Sequence, residues 1–400
     1  VRTEALTIGE TIDEVRRALQ DYIEATYHIS HPTLVEQRKQ LLDEPGAIFQ
    51  EPFLESTPRY RTGRRYSDLS IPATAKDLLR LMATASSDRD PLIYDPPYLH
   101  QATAIEATIA DRKNLVLTTG TGSGKTESFL LPILSKLAIE AATRPESFAK
   151  PAVRAVLLYP MNALVNDQLG RLRLIFGDED VAGMFSAWSG RPAKFARYTS
   201  RTPYPGVRTT KKDKERLRSF GDFYVDLIDR AADAGAADST AATELVEKLR
   251  ARGKWPAKPD MKSWYGESGQ RWQDGSGNFQ RAVMQHADPE LITRHEVLAH
   301  PPDVLVTNYS MLEYMLMRPL ERPIFDRTRS WLAENEDERL LLVVDEAHLY
   351  RGAAGSEVAL LLRRLRDRLG IPPERLQVIC TSASFDNPDY AAEFAAELSG

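Results

Sequence analysis

Thr119-Gly120-Thr121-Gly122-Ser123-Gly124-Lys125-Thr126 follows directly on the apolar run Leu115-Val116-Leu117. A glycine-rich turn between a strand and a helix lets successive backbone N–H groups converge on an anion, and the helix N-terminus adds its partial positive charge. Thr121, Gly122, Ser123 and Gly124 would form that cradle, Lys125 would reach the β and γ phosphates of a nucleotide, and Thr126 offers a hydroxyl to Mg²⁺. Thr119 fills the first position of the usual G-x-x-x-x-G-K-[ST] pattern, a variant with a small residue in place of glycine. Far downstream a second apolar run, Leu341-Leu342-Val343-Val344, ends in Asp345-Glu346-Ala347-His348. Carboxylates at the carboxyl end of a buried parallel strand lie where ligands collect, which places Asp345 to hold Mg²⁺ and Glu346 to position or deprotonate an attacking water. His348 would sit near the γ-phosphate as a coupling residue. By itself D-E-x-H is a weak signal, since acidic residues at a strand end often form a solvated turn. Behind a phosphate loop it gains meaning.

Four further segments fall in a telling order. Tyr98-Leu99-His100-Gln101 lies two dozen residues before Lys125, and Tyr159-Pro160-Met161-Asn162-Ala163-Leu164 runs on to Asp167-Gln168. Thr307-Asn308-Tyr309-Ser310 precedes the acidic box, and Thr381-Ser382-Ala383-Ser384 follows it. These resemble the Q motif and motifs Ia, Ib and III of superfamily 2 helicases of the DEAD/DEAH-box type, and the chain resembles the first RecA-like domain of such an enzyme. The resemblance implies ATP hydrolysis coupled to translocation on or unwinding of nucleic acid, with ATP and Mg²⁺ as cofactors and Lys125, Asp345, Glu346 and His348 as the catalytic set. It puts Gln101 on adenine, whose edge needs a group that both donates and accepts. It puts Pro160, Asn162, Gln168, Thr307 and Asn308 on the sugar-phosphate backbone, and Thr381, Ser382 and Ser384 in coupling, although Ser384 stands where threonine is commoner. Thr307 to Tyr314 and His348-Leu349-Tyr350-Arg351-Gly352, followed by Gly355-Ser356 and an arginine-rich helix, look like the MrfA group of DNA-repair helicases and the related large helicases of DISARM-type phage defence. The likeness covers about residues 90 to 400.

The elements that must position these groups follow from hydropathy. Apolar runs at Leu115 to Thr118, Val153 to Tyr159, Val304 to Val306, Leu341 to Val344 and Val378 to Thr381 alternate with helical stretches, the pattern of right-handed βαβ crossovers. The expected fold is therefore α/β: a RecA-like P-loop domain with a mostly parallel sheet flanked by helices, plus a helical N-terminal region and a large insertion. Val358, Leu361, Leu362, Leu365 and Leu369 repeat at helical spacing before Gly370, which is suited to end a helix. Arg363, Arg364, Arg366 and Arg368 fill the remaining positions as a solvated face or a DNA contact.

Residues 1 to 90 read as a helical accessory region packed on the motor core, and 91 to 400 as the ATP-binding domain. In the first of these, Thr11-Ile12-Asp13-Glu14 reads as a capping box ahead of Val15, Leu19, Tyr22 and Ile23, and Thr33 with Glu36 as a second. Glu44 to Ser70, rich in Pro, Gly and Arg, reads as a loop. About 140 residues separate motifs Ia and Ib, implying an insertion from about Ala187 to Pro289 that carries Trp188, Trp255, Trp264 and Trp272. Its first part concentrates Arg191, Lys194, Arg197, Arg201, Arg208, Lys211, Lys212, Lys214, Arg216 and Arg218 among Phe195, Tyr198 and Tyr204. This is either a surface that binds a strand by phosphate contact and stacking or a mobile charged loop. Residues 231 to 251 read as a helix and Gly266 to Gly277 as a flexible loop.

Composition bounds the rest. The 400 residues are 42% hydrophobic and 27% charged, an ordinary globular balance. No apolar run of about 18 residues and no signal-like N-terminus occurs, which points to the cytoplasm and away from a membrane. The single cysteine, Cys380, excludes a disulfide framework and sits in an apolar run as a buried hydrophobe. The net charge of −5 does not exclude nucleic acid, because local placement of cations decides phosphate binding. The chain ends soon after motif III, so a second RecA-like domain with its arginine finger is expected in cis or in trans, and slow turnover by the isolated chain with it. The expected partners are DNA, single-stranded or duplex with an overhang, and other repair or defence proteins. A nucleotide-gated nucleic-acid adaptor that unwinds nothing, and RNA as the track, are the alternatives.

Overall fold

The computed structural model describes residues 7–44, 46–50, 59–86, 89–120, 122–203, 206–233, 238–350, 352–382 and 387–399. The chain divides into two compact units between Arg59 and Tyr60. The first holds α1 (Ile8–Thr26) and α2 (Pro32–Asp43), tied by Arg16 and Gln20 to Asp43 and by Arg38 to the Tyr27 carbonyl. Its cap is one T-x-x-E earlier than expected. Thr7 and Glu10 form the reciprocal box, while Thr11 lies inside α1 with its hydroxyl on the Thr7 carbonyl. Helix α2 starts at Pro32 without a side-chain cap, so the expected Thr33 box does not form.

In the second unit α3 (Ala73–Ala83) and α4 (Leu99–Ile109) precede β1 (Leu115–Thr118) and α5 (Lys125–Thr143). Leu78, Leu79 and Met82 of α3 are fully buried against α5 in the main core, which is why residues 60 to 90 belong to this unit and the expected boundary near 90 moves upstream. Next come α6 (Pro145–Ala149), β2 (Ala155–Tyr159), α7 (Asn162–Phe176), α8 (Glu179–Ser189) and β3 (Phe195–Arg197). The insert contributes α9 (Thr210–Arg216), α10 (Arg218–Phe220), α11 (Asp226–Ala232), α12 (Ser239–Ala251) and α13 (Met261–Tyr265). The chain returns through β4 (Glu290–Leu291), α14 (Arg294–Ala299), β5 (Val304–Asn308), α15 (Tyr309–Met317), α16 (Arg322–Glu334), β6 (Leu340–Val344), α17 (Ala353–Leu369), β7 (Leu376–Ser382) and α18 (Pro388–Ser399).

Among the described residues the seven strands of the sheet are all parallel, in the order β1-β7-β6-β2-β5-β3-β4. Strands β6 and β2, at the centre, are apolar throughout because helices cover both faces, and the two faces feed separate cores. Strand β3 falls inside the expected insertion, and β4 begins directly after its expected end at Pro289. They belong to the sheet, so the insert proper begins after Arg197. Lys194 beside β3 is buried with its amine on the His286 and Asp288 carbonyls, Arg191 is buried on Asp303, and Phe195 and Tyr198 are core residues. They are therefore not a strand-binding surface. Tyr204 lies outside the described residues. The remainder of the insert is folded on its own apolar clusters, one around Trp264 and Trp272 and one around Trp255. Helix α17 buries the five expected leucine and valine positions and ends on Gly370. Among the described residues no helix is long and apolar enough to cross a membrane.

Candidate active site

Parallel strands deliver every carboxyl end to one edge of the sheet, where ligands of open α/β sheets collect. Thr118 of β1 pairs with Ser382 of β7, and Val344 of β6 pairs with Cys380 of β7. This register brings the loop after β1, the end of β7 and the turn after β6 together. The loop itself turns on Gly122 (φ 73°) and Gly124 (φ 75°), both left-handed. A Cβ on Gly124 would be strained by the left-handed φ and would lie 2.4 Å from Gln101 Nε2, displacing that amide.

Helix α4 closes over this loop. Gln101 is buried, its Oε1 accepting from the Tyr98 N–H at 2.9 Å and its Nε2 donating to the Gly124 carbonyl at 3.1 Å. The amide thus braces the phosphate loop and keeps one lone pair and one N–H for a ligand. His100 Nε2 lies 2.9 Å from the Ser123 carbonyl, and its ring stacks with Tyr98 beside Tyr60. Sequence reasoning missed this aromatic group, although Tyr98 and His100 flank the quoted glutamine.

Lys125 Nζ is buried without a hydrogen-bond partner and lies 3.6 Å from Glu346 Oε1. Asp345 accepts from the Thr381 hydroxyl and, at 3.0 Å, from the Glu346 N–H. Burial, more than the neighbouring Glu346 charge, raises its pKa above the usual carboxylate value. Glu346 takes a left-handed backbone (φ 50°, ψ 45°), a strained turn for a residue with a Cβ. Its other oxygen, Oε2, sits 3.3 Å from His348 Nδ1, which lies 3.1 Å from Ser382 Oγ. The hydroxyls of Tyr159 and Tyr350 are likewise buried and without hydrogen-bond partners; burial first, then the Asp345 charge, raises their pKa values.

The residues present fit a nucleotide triphosphate with its cation. A residue with a buried ammonium follows directly on a loop turned by two left-handed glycines, and the Thr126 hydroxyl and the Asp345 carboxylate are the hard oxygen donors that Mg²⁺ takes alongside phosphate and water. Thr121 and Ser384 lie outside the described residues.

The other expected residues divide. Asn162, Asn308 and Ser200 converge where β2, β5 and β3 end: Asn308 Nδ2 donates to Asn162 Oδ1 at 2.8 Å, and Asn162 Nδ2 to Ser200 Oγ at 3.4 Å. Pro160 is partly buried in the adjoining turn beside exposed Met161. Thr307 does not join this surface. It is fully buried, with its hydroxyl on the Tyr198 carbonyl at 2.7 Å, and holds β5 to the chain after β3 from beneath. Gln168 is also elsewhere, its Nε2 donating to Thr126 Oγ1 at 3.3 Å. The expected strand contact by these two is corrected accordingly, because the one is sealed under the sheet edge and the other faces the phosphate loop.

The DEAD/DEAH box helicase family matches residues 98–211 and 262–391, and the unmatched stretch between lies in the insert. The Druantia protein DruE of Escherichia coli (strain UMEA 4076-1) is 44% identical over 412 residues, covering 100% of this chain and 22% of its own length. An uncharacterized ATP-dependent helicase, MJ1574, of Methanocaldococcus jannaschii is 34% identical over 108 residues, 27% of this chain and 14% of that protein. Among solved structures, the DUF1998 helicase MrfA bound to DNA aligns over 92% of this chain and 34% of its own, at 20% identity and a TM-score of 0.44. The chain thus spans about a fifth of DruE and less of MJ1574. With the phosphate loop, the acidic box and the family profile all falling on the same parallel sheet, the chain belongs to the DEAD/DEAH box helicase family of superfamily 2.

Proposed function

We propose that this chain carries the ATP-binding face of an ATP-dependent DNA helicase or translocase. The convergence of the Lys125 amine, buried without a hydrogen bond, with Glu346 and the neighbouring Asp345, from loops more than 200 residues apart in sequence, carries the reading. Lys125 binds the β and γ phosphates, with the loop N–H groups of residues 121 to 126 and one remaining edge of Gln101 completing the nucleotide contacts. Thr126 and Asp345 hold Mg²⁺, which when bound neutralises charge on the β and γ phosphates. Glu346 orients a water and accepts its proton, a role served by its own carboxylate once the Lys125 ammonium turns to phosphate. His348 and Ser382, already in contact, join Glu346 to the end of β7, and Thr381 to the metal carboxylate, so movement of that strand end is felt by both acidic residues.

The track lies along Asn162, Asn308 and Pro160, where side-chain amides and helix starts meet the sugar-phosphate backbone. DNA is the substrate supported by the likeness of Thr307 to Tyr314 and His348 to Gly352 to the DNA-repair helicase group, and bacterial DNA repair or anti-phage defence is the setting that likeness supports. The test uses the full-length protein. ATP turnover is measured with no nucleic acid, with single-stranded DNA and with single-stranded RNA, for wild type and Glu346→Gln. The expected result is stimulation by DNA and a loss on the order of 100-fold or more in the variant with nucleotide binding kept. Turnover unaffected by Glu346→Gln refutes the assignment, and stimulation by RNA alone refutes the DNA track.

A further inference from the structure

We propose that α7 carries the state of the nucleic-acid edge to the metal-binding hydroxyl, with Gln168 as the positioning residue for Thr126; this rests on the nucleotide site proposed above. A threonine hydroxyl has two lone pairs and one proton. By donating to Thr126 Oγ1, Gln168 Nε2 occupies one lone pair, leaves the other for a cation and restricts the rotor. Three residues further along α7, Arg171 pairs with Glu127, the neighbour of Thr126. Residues three apart share a helix face, so α7 and the first turn of α5 are tied at two adjacent points.

A different face of α7 is tied to the track. Asn162, its first residue, holds Asn308 and Ser200, and Asn166, one turn on, accepts from Arg197 Nη1 at 2.8 Å. Gln168 follows Asn162 by about 9 Å along the helix axis, a span over which a helix is stiff. A phosphate backbone that draws on the Asn162 and Asn308 amides must break or re-aim their mutual bond, and the resulting shift of α7 reaches Thr126 with no intervening loop. Because coupling between two sites is reciprocal, nucleotide would tighten the track by the same factor that the track tightens nucleotide.

The experiment measures equilibrium binding in the full-length protein. A fluorescent ATP analogue with a non-hydrolysable β–γ link is titrated with Mg²⁺, with and without saturating oligo(dT), for wild type, Gln168→Ala and Gln168→Glu. Wild type is expected to bind the analogue about tenfold more tightly with oligo(dT), and both variants to show a factor within about twofold of one. Thermal midpoints and nucleotide-free affinity for oligo(dT) should match wild type. Gln168→Glu keeps the shape while exchanging the donor for an acceptor, so it supplies the reading if Gln168→Ala folds poorly. An undiminished factor in the variants, a wild type that binds both ligands independently, or a loss of nucleotide-free oligo(dT) affinity overturns the proposal. A wild type that binds no analogue sinks the nucleotide site itself, a separate and visible failure.

Discussion

At the residue scale the site is a set of charges waiting for a counter-charge. Lys125 pairs with Glu346 at 3.6 Å, too far for a hydrogen bond, and its ammonium is buried. A buried cation in this condition is stabilised by a phosphate, and Lys125→Ala should therefore lower affinity for ATP by about 100-fold, the loss of ~2–3 kcal/mol for hydrogen bonds to a charged group. Isothermal titration with a non-hydrolysable analogue measures it, and an affinity within a few-fold of wild type would contradict the assignment. Gly124→Ala attacks the same cradle by backbone means, since its Cβ would collide with Gln101 and its φ is left-handed. The motif residues were readable because each is a chemical type at a fixed distance from a strand end. What the sequence left out is who touches whom: Gln168 and Thr307 carry the same polar groups wherever they point, and only the register of β5, β2 and α7 sends one to Thr126 and seals the other under Tyr198.

At the element scale, legibility followed burial. Strands β2 and β6 are apolar at every position and β5 and β7 carry apolar runs, Val304 to Val306 and Val378 to Cys380, because both faces are covered, and such runs stand out. Strand β3 has only Phe195 and Ala196 between two cations, and β4 is Glu290-Leu291, whose carboxylate is neutralised by Arg173. Charge that is paired in three dimensions looks like surface in one. The caps show the same limit: Thr7-x-x-Glu10 and Thr11-x-x-Glu14 are identical patterns in tandem, and the helix uses the first. Behind the sheet, on the edge away from the ligands, Asp303 accepts from Arg154, twice from Arg191 and from the Lys194 N–H, all buried, joining β2, β3 and β5 before their first residues. Removing one partner of such a group leaves guanidinium charge unpaired in the interior, so Asp303→Ala should cost ~3–5 kcal/mol. Urea unfolding is the measurement, and a loss below about 1 kcal/mol would show that the network is solvated or redundant. The insert meets α7 just as closely: a Cβ on Gly253, whose φ is 61°, would lie 2.1 Å from the Gly170 carbonyl oxygen. Gly253→Ala is expected to destabilise by ~1–3 kcal/mol through backbone strain, more than Gly275→Ala, which has open space around it.

For the whole molecule, the buried charges that organise the core also dictate how it responds to acid. His300 Nε2 is buried without a partner; burial, then the Lys194 and Arg191 charges, outweigh the opposing pull of Asp303 and push its pKa down to about 4 from 6.5. A proton in that interval prefers the unfolded chain, so the stability associated with neutral His300 is present above pH 6.5 and is lost as pH falls towards 4. His295, lowered chiefly by burial, acts in the same direction. A second step belongs to Glu338. Burial would raise its pKa, but Lys136 and Arg144 overcome that and hold it at about 2, against 4.5 in the open chain. Its contribution is present above 4.5 and disappears as pH falls to about 2. Asp345, Asp288 and Asp178 oppose both steps, since burial raises their pKa values and acid relieves the cost of keeping them charged. The expected profile of the urea midpoint is therefore a decline beginning below pH 6.5, earlier than carboxylates alone would give. His300→Gln should remove much of the slope between pH 6.5 and 4, on the order of 2 kcal/mol across that window, and leave the lower step in place. Glu338→Gln should do the reverse, reducing stability at pH 7 and flattening the limb below 4.5. If His300→Gln retains the full slope above pH 4.5, the imidazole is hydrated in the folded protein and its isolation beside Lys194 and Arg191 is not what sets the acid limit.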